Sequence, residues 1–318
     1  MHLVVDTDTA GDDVIALLLA LKTPWVQLHG ITINCGNVAF DYQVENALKT
    51  VEVAGRSGEV PVYAGARVPL MREWVSADYV HGKDGMGESY FSPATQRPEA
   101  EHAVSFLLRA ARQYSGDLVI VAQAPLTNLA LAVRQDAEFA RHVKELWVMG
   151  GSVSGMGNVE PLSEYNFYVD PEAAAIVFAA GFNLYMVGWD VTLDAAVLTE
   201  AELAQIATLN TPLSRFFMAT QRKVLEFNRA HNIYGTTHPD ALTMALALDR
   251  RLWLAGSDYA VSIETRGEFT RGTSVVDRLG VWRRQPNAHV VTAADREGFQ
   301  ALLMRLLAEG TSGLPAPH

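Results

Sequence analysis

The sequence contains a single cysteine, Cys35, among its 318 residues. A disulfide framework and a cysteine-ligated zinc site are therefore both excluded. The sequence also contains no apolar run long enough to cross a bilayer, and no basic segment followed by a cleavable apolar stretch. We therefore expect a cytoplasmic protein that is neither secreted nor associated with a membrane.

Positive charge is also scarce, because 25 Lys and Arg residues face 36 Asp and Glu residues, giving a formal net charge of −11. A surface of this sign repels the phosphate backbone, so nucleic acid is not an expected partner. Hydrophobic residues make up 49% of the chain, which indicates a globular protein with a substantial core. No linker or repeat interrupts the pattern, so we predict one domain over residues 1–310 and a short tail over residues 311–318.

Short apolar runs alternate with helical stretches along most of the chain. The apolar runs are rich in Val, Ile and Leu without polar alternation, as in parallel strands covered on both faces. The predicted strands cover residues 4–5, 30–34, 117–123, 145–149 and 183–187. The predicted helices cover residues 14–21, 42–54, 103–114, 127–135, 171–180 and 296–307. This alternation predicts an α/β fold with a mainly parallel central sheet flanked by helices.

The remaining segments depart from this alternation. Residues 259–264 and 273–277 are predicted to form a small C-terminal β-hairpin around a glycine-containing turn. Two long stretches, residues 68–93 and 208–239, are mixed in polarity and rich in aromatic residues and histidine. Because long loops in compact domains tend to be functional, we interpret both as active-site loop insertions.

Carboxylates crowd at the end of the first predicted strand, where four aspartates occur within eight positions: Asp6, Asp8, Asp12 and Asp13. Ligands of an open parallel sheet bind at this edge, beyond the carboxyl ends of the strands. Like charges repel, and an unpaired buried carboxylate is costly, so a cation is expected to offset them. Carboxylate, amide and carbonyl oxygens without sulfur suit Ca²⁺, and Mg²⁺ is the alternative.

Helix capping is a simpler interpretation of some of these carboxylates. Asp12, Asp13 and Asp240 each lie at a predicted helix start, where aspartate commonly caps the backbone and suits the helix dipole. Asp6 and Asp8 lie at a strand end and have no capping role. They are therefore the stronger indication of a functional site.

These motifs resemble those of the inosine–uridine-preferring nucleoside hydrolases. The family signature after the first strand is Asp-x-Asp-x-x-x-Asp-Asp, which here is DTDTAGDD. The similarity continues in order through ITINCGNV, HGKDGMG, PLTNLALA, VMGGSVSGMGN, SEYNFYVDPEAAAIV, VGWDVT and ETRGEFTRGTSVVD. The resemblance implies a Rossmann-like domain with Ca²⁺ at the strand ends and hydrolysis of ribonucleosides to ribose and free base. It further implies a role in purine or pyrimidine salvage and assembly as a homodimer or homotetramer.

The resemblance also assigns roles by position. Asp8 matches the metal-binding general base, Asp13 and Asp240 match metal ligands, and Gln123 matches a residue whose main-chain carbonyl binds the ion. Asp6 matches an aspartate that supports the cluster. The positions that contact the sugar are occupied here by Asn37, Met149, Asn158, Glu164 and Asn166.

Two departures from the family pattern concern the turn after the second aspartate and the leaving-group acid. Thr9 and Ala10 stand where the family commonly has Pro-Gly, and Pro239 stands where many members have a histidine that protonates the base. The remaining candidates for this acid are His238, His81, His231 and Tyr234. Alternatively, stacking of the base on Trp74 or Phe227 could raise its own proton affinity.

Two functions of other classes also fit parts of the sequence. A haloacid-dehalogenase-type phosphatase likewise begins with Asp-x-Asp after a strand, and Asp6 would then be the nucleophile. That motif usually has Thr or Val where Ala10 stands, and it leaves Asp12 and Asp13 unexplained. The replacement of the expected histidine by Pro239 suggests the second alternative, a non-catalytic calcium-dependent binder of nucleosides or ribose.

Overall fold

The computed structural model describes residues 1–316 and contains an eight-stranded central sheet. Its order is β3-β2-β1-β4-β5-β6-β12-β9, and all pairs are parallel except β12 with β9. The sheet strands are β1 (His2–Thr7), β2 (Gln27–Ile33), β3 (Val62–Ala64), β4 (Leu118–Gln123), β5 (Val143–Met149), β6 (Leu184–Val187), β9 (Trp253–Tyr259) and β12 (Ala288–Ala294). Two small antiparallel pairs are formed by β7 (Val197–Leu198) with β8 (Thr236–Thr237), and by β10 (Val261–Ile263) with β11 (Ser274–Val276).

Helices connect these strands, and within residues 1–316 none is long and apolar enough to cross a membrane. The helices of the first half are α1 (Asp13–Leu21), α2 (Phe40–Val53), α3 (Asp78–His81), α4 (Ala103–Gln113), α5 (Thr127–Gln135) and α6 (Phe139–His142). Those of the second half are α7 (Tyr165–Val169), α8 (Pro171–Phe178), α9 (Trp189–Ala195), α10 (Glu200–Leu209), α11 (Pro212–Thr220), α12 (Arg222–Ala230), α13 (Pro239–Leu248) and α14 (Arg296–Glu309). A 3₁₀ turn, Arg250–Leu252, follows α13.

Two apolar cores lie on opposite faces of the sheet. On β1, Leu3 and Val5 pack into the core that contains α1, α2, α13 and α14, whereas Val4 packs into the core that contains α4, α5 and α8. Adjacent side chains of a strand point to opposite faces, so a strand covered on both sides must be apolar throughout. The predicted α/β class with a mainly parallel sheet is therefore confirmed, as is the small C-terminal hairpin, β10–β11.

The strand order reverses between β1 and β4, which creates a crevice at the carboxyl ends of these two strands. Asp6 lies opposite Thr32 of β2 and Ala122 of β4, and Thr7 lies opposite Gln123. The residues that follow β1, β2, β4 and β5 consequently meet at one edge of the sheet. This edge carries the candidate site.

The structure differs from the sequence-based expectation in several segments. Strands β9 and β12 were not predicted, and the segment interpreted as a loop insertion at residues 208–239 contains helices α11 and α12. Helix α11 begins with a capping box between Thr211 and Ser214 and has Pro212 in its first turn, which is a helix-start signal. The predicted tail ends in Pro317 and His318, which lie outside the described residues.

Candidate active site

Asp8 follows β1, and only one of its two carboxylate oxygens is hydrogen-bonded. Its Oδ2 accepts a hydrogen bond from the Asn37 backbone N–H at 2.9 Å, while its buried Oδ1 has no partner among residues 1–316. Burial raises the pKa of Asp8 well above its usual range, and the neighbouring Asp13 carboxylate raises it further. The free oxygen is therefore a strong acceptor that needs a proton, a water or a cation.

Asp12, Asp13 and Asp240 form a compact acidic cluster, with one oxygen of each carboxylate within 4.8 Å of the other two. Asp13 accepts hydrogen bonds from the Thr7 hydroxyl and the Ala10 backbone N–H. Burial and the Asp12 charge nevertheless raise the pKa of Asp13 to about 8. Burial, followed by the charges of Asp12, Asp13 and Asp8, also raises the pKa of Asp240. Without a cation, the three carboxylates repel one another when they are ionised, and the fold must hold them together against this repulsion.

The side chain of Gln123 reaches the same cluster from the end of β4. Its Nε2 donates to the backbone oxygen of Asp240 at 2.7 Å, and its buried Oε1 has no partner in the described part of the chain. The ligands on offer are thus all hard oxygens from carboxylates, amides and backbone. This set fits a hard divalent cation and does not fit a metal that prefers sulfur or imidazole.

The capping interpretation explains little of this cluster. Asp12 occupies the N-cap position of α1, but its side chain makes no capping hydrogen bond, and its buried Oδ1 has no partner within the residues described. Asp240 lies in the first turn of α13 rather than at its N-cap, which is His238. Asp12 was thus missed as a candidate site residue. Its position among the four aspartates that follow the first strand was the sequence feature that could have identified it.

A cavity of about 450 Å³ opens above the acidic cluster. Its polar wall is formed by Asp12, Asn37, Gln123, Asn158, Glu164, Asn166 and Asp240. Its apolar and aromatic wall includes Tyr79, Val80, Met149, Met156, Tyr165, Trp189, Leu193, Val224, Phe227 and Ile233. The cavity therefore has a carboxylate and amide end and an apolar end, as expected for a ligand with one highly polar half and one flat apolar half.

The structure brings together all five residues that were predicted to contact a sugar. Asn37, Met149, Asn158, Glu164 and Asn166 all line this cavity. Asn158 Oδ1 accepts from the Tyr165 backbone N–H at 2.8 Å, which leaves its amide N–H₂ available. The Asn166 side chain donates to the backbone oxygen of Met149 at 3.2 Å.

Glu164 is held mainly by backbone donors. It accepts from the N–H groups of Gly151, Asn166 and Phe167 at 2.7–3.2 Å. Burial raises the pKa of Glu164 to about 7, although these three hydrogen bonds lower it. The carboxyl group is therefore oriented rigidly toward the cavity from the N-cap of α7.

The predicted acid candidates fall in different environments. Among residues 1–316, the cavity lining includes His81 but neither His238 nor Trp74. His81 is half-buried, its buried Nδ1 has no partner in the described structure, and burial lowers its pKa. His238 pairs with the Thr236 hydroxyl through Nε2 at 2.7 Å, and burial lowers its pKa to about 4.

Two other candidates, His231 and Tyr234, lie on exposed parts of the segment between α12 and α13. The ring of His231 packs against Phe227, with 4.2 Å between the ring centroids. Phe227 itself lines the cavity and meets Tyr79 edge to face at 5.6 Å. Tyr79 and Phe227 of the aromatic wall thus come from α3 and α12, which belong to the two segments interpreted as active-site insertions.

Asp6 lies beneath the cavity and is fully buried. It accepts from the Thr32 hydroxyl and the Asn128 amide, with a longer contact from the Asn34 amide at 3.4 Å. Burial raises the pKa of Asp6 to about 6 against these hydrogen bonds. A carboxylate with both oxygens engaged below the cavity floor is poorly placed for nucleophilic attack, which disfavours the phosphatase alternative.

Comparisons with known proteins agree with this geometry. The family model "Inosine-uridine preferring nucleoside hydrolase" matches residues 3–301. A pyrimidine-specific ribonucleoside hydrolase RihA from Enterobacter sp. (strain 638) is 34% identical over 311 residues, covering 97% of this chain and 98% of the relative. The RihA protein of Shewanella woodyi is 36% identical over 307 residues, covering 96% of this chain and 97% of the relative.

Solved structures show the same relationship at the level of the fold. The plant nucleoside hydrolase PpNRh1 superposes with a TM-score of 0.90 at 31% identity, covering 96% of this chain and 98% of that one. A purine-preferring ribonucleoside hydrolase from Gardnerella vaginalis superposes with a TM-score of 0.90 at 30% identity, covering 97% and 98% of the two chains. The family match, the shared fold and the acidic cavity together show that this chain is an enzyme of the inosine–uridine preferring nucleoside hydrolase family.

Proposed function

We propose that this enzyme hydrolyses the N-glycosidic bond of ribonucleosides to ribose and free base, with Ca²⁺ held by the carboxylates of Asp8, Asp13 and Asp240 and with Asp8 as the general base. The observation that carries the proposal is the arrangement of the cavity. Its carboxylate and amide end suits a hydroxyl-rich sugar and a cation, and its aromatic end suits a nucleobase. This reaction would place the enzyme in nucleoside salvage.

The proposed calcium ligands are Asp8, Asp13, Asp240 and the main-chain carbonyl of Gln123. Ca²⁺ is preferred over Mg²⁺ because the ligands come from separate strand ends and helix starts, and Ca²⁺ tolerates irregular oxygen sets. The ion would supply positive charge that offsets the carboxylate repulsion, holds the sugar hydroxyls and lowers the pKa of a neighbouring water.

Asp8 then takes a proton from the water that attacks the anomeric carbon of the sugar. Its Oδ1 is the only one of its two oxygens without a hydrogen bond within residues 1–316, so this oxygen is assigned the proton. The bond between water oxygen and carbon forms as the bond between carbon and base nitrogen breaks. Because the sugar gains positive character before attack, the surrounding carboxylates and amide oxygens favour that state.

The sugar is proposed to be held by Asn37, Asn158, Glu164 and Asn166, with Met149 packed against it. These residues offer both donors and acceptors, and Asn37, Glu164 and Asn166 are buried, so a substrate that lacks a hydroxyl leaves buried polar groups unpaired. We expect release of base from uridine and inosine to exceed release from their 2′-deoxy forms by at least about 10²-fold in kcat/KM. Equal rates for the two sugar types, or no release from any of them, would contradict the proposed function.

His81 is the better placed of the two histidines to protonate the leaving base. It lines the cavity, whereas His238 lies outside the lining residues of the described chain and has its Nε2 engaged by the Thr236 hydroxyl. The same cavity wall carries Phe227, on which the base can stack. We therefore assign the acid to His81 and a structural role to His238.

Leaving-group chemistry tests this assignment. For uridine, His81→Gln is expected to lower kcat by roughly 10²-fold, since general acid catalysis contributes about that much or more. A riboside with a p-nitrophenolate leaving group needs no proton, so its hydrolysis should be nearly unchanged. His238→Gln serves as the matched control and should slow neither substrate selectively. If His238→Gln alone produced the selective loss, the acid would be His238.

A further inference from the structure

The β10–β11 hairpin lies outside the central sheet, yet it contacts the loop that carries sugar-binding residues. This loop, here called the sugar loop, comprises residues 150–164 between β5 and α7. It presents Asn158 and Glu164 to the cavity. A loop of this length with its tip facing an open cavity needs contacts at its base to keep one conformation.

The first end of the sugar loop is fixed by one hydroxyl of the hairpin. Ser274 Oγ accepts a hydrogen bond from the Ser152 backbone N–H at 2.8 Å and donates one to the Ser152 backbone oxygen at 2.7 Å. Ser274 is buried, and a Cβ built on Gly151 would lie only 2.6 Å from its Oγ. The hydroxyl therefore replaces a strand partner for both polar backbone groups of Ser152.

The other end of the sugar loop is fixed by the residues of the hairpin turn that precede β11. The Ser163 hydroxyl donates to the backbone oxygen of Arg271, and the Thr273 hydroxyl donates to the backbone oxygen of Leu162 at 3.2 Å. Gly272 has φ of +79°, and a Cβ there would lie 2.6 Å from Tyr168 Cα. Residues 271–274 thus close the base of the sugar loop at both ends.

The contact made by Ser274 continues to a sugar-binding carboxylate. Gly151, next to Ser152, donates its backbone N–H to Glu164 Oε2 at 2.9 Å. We propose that Ser274 is a positioning residue for the sugar half of the active site, acting through Ser152 and Gly151 on Glu164. This inference rests on the proposed function, because it assigns Glu164 to the ribose.

Ser274 could instead only stabilise the fold, and the contacts of Asp190 help to distinguish this role from the positioning role. Asp190 also holds the sugar loop, since its Oδ2 accepts from the backbone N–H groups of Val153 and Ser154. The backbone oxygen of Gly151 likewise accepts from the Trp189 N–H at 2.8 Å. Loss of the Ser274 hydroxyl therefore leaves the loop attached but removes both hydrogen bonds that hold the Ser152 backbone to the hairpin. A displacement of about 1 Å in a positioning group is enough to slow a reaction by up to about 10²-fold.

The test is a substrate panel with the Ser274→Ala variant. We expect kcat/KM for uridine to fall about tenfold, and the preference for uridine over at least one of its 2′-, 3′- and 5′-deoxy analogues to fall with it. A variant that merely contains less folded enzyme would lose activity on all four substrates in the same proportion. That outcome, or unchanged uridine kinetics, would overturn the inference.

Two further variants and hydrogen exchange test whether the Ser274 hydroxyl itself is responsible. Ser262→Ala removes a hydroxyl from the opposite strand of the same hairpin and should leave the preference unchanged, whereas Ser274→Thr keeps the hydroxyl and should restore it. Hydrogen exchange of residues 150–164 should accelerate in Ser274→Ala, and unchanged exchange would contradict the proposal whatever the activity. If the wild-type enzyme itself released no ribose, the proposed function would fail first and this inference with it.

Discussion

At saturating Ca²⁺, the Asp8→Asn variant is expected to lose about 10²–10⁴-fold in kcat on uridine and inosine, with a smaller change in KM. Asparagine has almost the same shape, and its side-chain oxygen can still accept the hydrogen bond from the Asn37 backbone N–H. The amide cannot take a proton from water, and saturating Ca²⁺ offsets its weaker hold on the ion, so the loss falls mainly on the chemical step. Steady-state kinetics on both nucleosides measures the effect.

The fold of this variant provides the control for that prediction. Because Asp8 is a buried carboxylate whose pKa is raised by burial and by Asp13, its neutralisation should not lower the melting temperature of the metal-free protein. A variant that retained more than about a tenth of wild-type kcat would exclude Asp8 as the base. Asp13 and Asp12 would then be the next carboxylates to examine.

Calcium is expected to raise the melting temperature of the wild-type protein, and Asp240→Asn is expected to reduce this rise while stabilising the metal-free protein. Asp12, Asp13 and Asp240 repel one another in a buried cluster, so either a cation or the loss of one charge relieves the repulsion. A ligand present at a hundred times its Kd adds about 2.7 kcal/mol, which corresponds to a rise of roughly 4 °C for a chain of 318 residues.

Differential scanning calorimetry with and without Ca²⁺ measures both effects. Asp41→Asn, which removes an exposed carboxylate of α2 far from the cluster, is the matched control and should keep the full calcium response. An equal calcium-induced rise in wild type and Asp240→Asn would mean that the ion binds elsewhere. A lower metal-free melting temperature for Asp240→Asn would mean that the repulsion is not the dominant effect.

The central part of the fold was predictable because its strands are covered on both faces. Val4 and Val5 identified β1 as an unbroken apolar run, and the helices that follow β1, β2 and β4 have clear apolar patterns. Strand β9 was missed because it is an edge strand, in which residues 254–258 are exposed and Gly256 and Asp258 interrupt any apolar pattern. Pairing with β12, and not local sequence, makes it a strand.

The candidate site was predictable to the extent that strand order brings strand ends together. Asp8, Asn37 and Gln123 follow neighbouring strands, so their convergence followed from the α/β pattern alone. Asp12 could not be separated from a helix cap by sequence, because both roles place an aspartate at the same position. His81 lines the cavity and His238 does not. This difference depends on tertiary packing around α3 and α13, which no local sequence pattern encodes.

The most direct test of the account is release of ribose from uridine and inosine by the wild-type enzyme after removal of divalent cations. The account predicts that a chelator abolishes release and that added Ca²⁺ restores it, because the acidic cluster cannot hold the sugar or ease deprotonation of water without a cation. Undiminished release in the presence of the chelator would contradict the assignment of Asp8, Asp13 and Asp240 to a metal-dependent active site.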